Sequence, residues 1–129
     1  MNILVLAACD GQTLDPSTAH VVTAARRLAA DTQAQIHMLL LGHGLPAVAP
    51  QVAALEGVDL VFVTHTTALG MPNAETLARQ LAAMAGDYRW VLAAHSMAAR
   101  AALPRAAALC GAAYLSDVTR ITGDVLERP

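Results

Sequence analysis

Lysine is absent from this 129-residue sequence, and all eight basic residues are arginine. That excludes lysine Schiff-base chemistry and a Walker-type phosphate lysine. Aromatic residues are nearly as scarce: Phe62, Tyr88, Trp90 and Tyr114. No basic-aromatic nucleic-acid surface can be built from that set. The two cysteines, Cys9 and Cys110, sit in apolar segments. Neither has Cys-x-x-Cys or metal spacing, so both are expected to be reduced core thiols in a reducing compartment. No uninterrupted apolar stretch approaches the ~18 residues of a membrane span. Met1 leads straight into a strand pattern, so no signal or transit peptide is expected. A soluble cytoplasmic domain is expected, with a processed mitochondrial precursor as the alternative. The net charge of −2 points to neither a polyanion partner nor an acidic tail.

What is present is apolar and small. Hydrophobic residues make up 56% of the chain, and alanine is the commonest of them. Alanine suits close helix–sheet contact and carries little chemistry. The length fits one domain spanning residues 1–129. Asn2–Ala8 and Gln35–Leu41 are continuous apolar runs, as expected for strands covered on both faces. Asp15 and Pro16 read as an N-cap and a first-turn proline. The helix they start buries Val21, Val22, Ala25, Leu28 and Ala29 and runs to about Ala30. Ala47–Glu56 reads as a short helix that Gly57 stops, and Asp59–Thr64 as the third strand. Asn73 caps a helix with Leu77, Leu81 and Met84 on one face, ended by Gly86. Trp90–Ala94 is the fourth strand. A helical pattern covers about Met97–Leu109, where Pro104 should kink or restart it. Ala112–Leu115 reads as a fifth strand. Thr119–Ile121 and Val125–Glu127 read as a β-ribbon added at the sheet edge.

Strand and helix alternating in this way imply right-handed βαβ units and a mostly parallel sheet. The expected fold is α/β, a three-layer, doubly wound, Rossmann-like sandwich. Ligands in such sheets sit beyond the carboxyl ends of the strands. The residues there are Cys9, Asp10 and Gly11, then Gly42, His43 and Gly44, then His65, Thr66 and Thr67, then His95 and Ser96. Three histidines and an aspartate on one rim could serve a metal or acid–base site. Yet strand ends are polar wherever they meet water, and these histidines share no helical spacing. His20 and His37, mid-helix and mid-strand, read as surface or satisfied core residues. The loop CDGQTLDPST has one glycine where a dinucleotide fingerprint needs Gly-x-Gly-x-x-Gly. Gly42-His43-Gly44 lacks the third glycine. Ser96 has no Gly-x-Ser-x-Gly elbow. Ser116-Asp117 reads as a turn or cap. No catalytic, cofactor-binding or metal residue is assigned.

The wording of the blocks is more specific than their pattern. NILVLAACDGQTLDPSTAHVVTAARRLA resembles the opening of the electron transfer flavoprotein alpha subunit. So do LLLGHGLPAVAPQVAALEGVDLVFV and LARQLAAMAGDYRWVLAAHS. LPRAAALCGAAYLSDVTRI, with its Leu-Pro-Arg and Ser-Asp-Val, is the most specific block. In the family, Arg128-Pro129 leads on into a further strand and later a flavin-binding domain. The resemblance implies the N-terminal scaffold domain of a heterodimeric electron carrier, of adenine nucleotide alpha-hydrolase-like fold. It implies FAD in the intact heterodimer but not on this segment, and AMP in the partner beta subunit. Electrons would come from flavoprotein dehydrogenases such as the acyl-CoA dehydrogenases of fatty acid β-oxidation and pass to a quinone oxidoreductase. HSMAAR replaces the family's Thr-Thr-Phe-Gly-Lys-like segment, which allows a divergent paralogue. The alternative is a stand-alone adenine-nucleotide module of universal-stress-like fold, using Asp10 and Gly42–Gly44. A hydrolase or metalloenzyme using His43, His65 and His95 ranks third.

Overall fold

The computed structural model describes residues 1–10, 13–30, 32–43, 45–63, 74–94, 97–116, 118–122 and 125–127. Within them the order is β1 (Asn2–Asp10), α1 (Ser17–Ala29), β2 (Ile36–His43), α2 (Leu45–Ala53), β3 (Leu60–Val63), α3 (Ala74–Ala85), β4 (Tyr88–Ala93), α4 (Met97–Cys110), β5 (Arg120–Thr122) and β6 (Val125–Glu127). The first four strands form one parallel sheet in the order β3-β2-β1-β4. This is the expected doubly wound, Rossmann-like α/β architecture, with helices on both faces.

The apolar runs divide between two cores because successive strand residues face opposite sides. Ile3, Val5 and Ala7 of β1 join Ile36, Met38 and Leu40 of β2 against α1 and α2. Leu4 and Leu6 join Leu39 against α3 and α4. Burying each leucine or isoleucine contributes about 1.5–3 kcal/mol. On the helices, Val22, Ala25 and Leu28 of α1 and Leu77, Ala78 and Leu81 of α3 are the buried stripes.

Backbone chemistry sets the element ends. Pro16 has helical angles, φ −58 and ψ −28. The capping role therefore falls on Asp15, whose Oδ1 accepts from Ser17 N at 2.9 Å and Ser17 Oγ at 2.7 Å. Gly57 takes φ +93 before β3, and Gly111 takes φ +72 after α4. Ala112 N then donates to Ala107 O at 2.9 Å, the hydrogen bond of a Schellman ending. At the amino end of the sheet, Asn2 Oδ1 accepts from Gln35 N and Asp59 Oδ2 from Ile36 N. These bonds tie neighbouring strands together.

Four expectations change. Pro104 neither breaks nor restarts α4, which is one helix from Met97 to Cys110. Ala99, Ala102 and Ala106, on both sides of the proline, are buried, so the helix is packed on either side of it. Residues 112–116 form no strand. The β5–β6 pair is a separate antiparallel sheet and does not extend the main one. Its facing residues Ile121 and Leu126 pack on the α1–α2 core. Cys110 is exposed, not a core thiol, because it lies in the outer last turn of α4. Asn73 and Thr64 lie outside the described residues.

Candidate functional site

The parallel strands present all their carboxyl ends to one rim. Strands β2 and β3 lie to one side of β1 and β4 to the other. The chain therefore reverses its direction of winding between β1 and β4, where such sheets place ligands. Strands β1 and β2 stay paired to their last residues, with Cys9 opposite Gly42 and Asp10 opposite His43. The backbone thus brings together four of the residues singled out from the sequence. Gly11, Gly44, His65, Thr66, Thr67, His95, Ser96 and Asp117 lie outside the described residues.

A phosphate cradle needs backbone N–H groups turned towards the ligand, which glycines at positive φ permit. Among the described residues the positive-φ glycines are Gly57 and Gly111. Both lie at the amino end of the sheet, Gly57 leading into β3 and Gly111 ending α4. Gly42 is regular strand. Among the described residues, then, no glycine at positive φ lies on this rim. No group of three or more His, Cys, Asp or Glu side chains among them could hold a metal ion. After β1, Leu14 is buried and its N–H donates to Gln51 Oε1 of α2 at 2.9 Å. That bond fastens the start of the first crossover to the second.

The polar cluster that does form lies at the opposite end. His37 Nδ1 is 2.8 Å from Tyr88 Oη, and His37 Nε2 is 3.0 Å from Gln35 Oε1. The imidazole spans from β2 to β4 over β1 and meets Phe62 and Tyr88 edge-on. Burial, and then the neighbouring Asp87 carboxylate, push the Tyr88 phenol above its usual 10.0. Both ring nitrogens have partners, and His37 is a half-buried, satisfied histidine at the edge of the core. His20 is exposed on α1. The tyrosine partner was not legible, because nothing in the spacing pairs residues from non-adjacent strands.

An open groove of about 880 Å³ follows the free edge of β4 between α1 and α4. Leu92, Leu103, Ala106, Tyr114 and Ser116 are among its lining, with Arg27, Arg89, Arg100 and Arg120 at its margins. Its existence follows from the irregular course of residues 112–116. No helix among the described residues is long and apolar enough to cross a membrane.

Comparison with known proteins converges on one family. Residues 3–129 match the family model of the electron transfer flavoprotein domain. The whole chain is 32% identical to the electron transfer flavoprotein subunit alpha of Pseudomonas aeruginosa and covers 41% of that protein. It is 32% identical to the same subunit of Paracoccus denitrificans, again over the whole chain and 41% of the relative. Identity to the mitochondrial alpha subunit of Arabidopsis thaliana is 33%, over 37% of its length. The chain thus spans about two fifths of the length of the curated relatives it matches.

Proposed function

The chain belongs to the electron transfer flavoprotein family, and from that premise we propose that it is the scaffold domain of an alpha-type subunit in a heterodimeric, FAD-containing electron carrier. In this reading the domain is residues 1–129, and it supplies no catalytic, flavin-binding or metal residue. It packs against a beta subunit that carries AMP, and the flavin is held by other parts of the assembly. The intact carrier takes electrons from flavoprotein dehydrogenases, acyl-CoA dehydrogenases among them, and delivers them to a quinone oxidoreductase. It works in the bacterial cytoplasm as a carrier, not as an enzyme.

The observation that carries this reading is the match to alpha subunits across the whole chain. Exposed apolar side chains also support it: Leu60, Phe62 and Val63 on β3, Leu109 in the last turn of α4, and Tyr114, Leu115 and Val118 after it. Such clusters are a common mark of a covered surface.

The test is to mix the purified chain with a cognate beta subunit and follow its elution and its flavin content. A one-to-one complex is expected, while the chain alone leaves FAD fluorescence unquenched. Micromolar FAD binding by the isolated chain would overturn the scaffold role. Failure to bind beta would overturn the subunit assignment. A rise in melting temperature with millimolar AMP would favour the adenine-nucleotide module instead, because a ligand that binds only the folded state stabilises it.

A further inference from the structure

We draw no further inference here: the strongest candidate, the arginine-margined apolar groove along the free edge of β4 between α1, α4 and residues 112–116, is an unpartnered face, and nothing in the structure shows what covers it.

Discussion

Asp15 holds the first turn of α1 through one carboxylate oxygen shared between the N–H and the hydroxyl of Ser17. Those two bonds, the hydroxyl's first, keep its pKa below the usual 3.8. A depressed carboxylate pKa adds stability that is complete above the unfolded value and fades as pH falls through the folded one. Asp15→Ala should cost on the order of 1 kcal/mol near neutral pH. Urea unfolding at pH 6 and at pH 3 should show the gap between protein and variant narrowing at the lower pH. An unchanged gap would mean that the cap acts without its charge. Tyr88 behaves in the opposite sense. Its phenol is raised, so its contribution is intact below pH 10 and lost as the solution becomes more alkaline. Absorbance at 295 nm should show a phenol ionising later than an ordinary tyrosine, and Tyr88→Phe should abolish that late phase. The same substitution removes the bond to His37 and should cost about 0.5–1.5 kcal/mol.

The helix α4 carries a proline at its centre. Pro104 supplies no N–H for the carbonyl of Arg100, and its ring crowds the preceding turn. Packing of Ala102 and Ala106 against the α3 side of the sheet offsets that cost. Pro104→Ala should therefore raise the denaturation midpoint, with a gain of about 1–3 kcal/mol. A lower midpoint would mean that the proline's stiffness in the unfolded chain outweighs its cost in the helix. The four-strand sheet and its helices were legible because each carries a long periodic signal: two-sided apolar runs for β1 and β2, and Leu77, Leu81 and Met84 for α3. The region after α4 was not. Ala-Ala-Tyr-Leu-Ser has strand-like composition, but a strand also needs a partner edge, and the packing of Ile121 and Leu126 on the α1–α2 core is a contact no local window contains. The rim was legible only as a position. The sequence could place Asp10 beside His43 at the end of β2 by topology, but it could not show what their side chains do. The His37–Tyr88 bond joins residues far apart in the chain, and no periodic signal announces such a pair.

At the scale of the sheet, β1 is one of the two interior strands. β1 is bonded to β2 along one side and to β4 along the other, and it feeds side chains to both cores. A substitution there should be felt on both faces. Leu4→Ala, at a fully buried position, should cost about 2–5 kcal/mol, measurable as a loss of cooperative stability in urea. A cost well under 1 kcal/mol would mean that the α3–α4 side closes over the gap. The central place of β1 also has a consequence in time. The ribosome makes β1 before it makes β4, and at about 5–20 residues per second the strand waits several seconds or more for Tyr88–Ala93 to appear. Until then its most apolar residues have a neighbour on one side only. The interval in which the nascent chain is exposed to chaperones, or to wrong strand partners, is thus fixed by where this strand sits in the sheet.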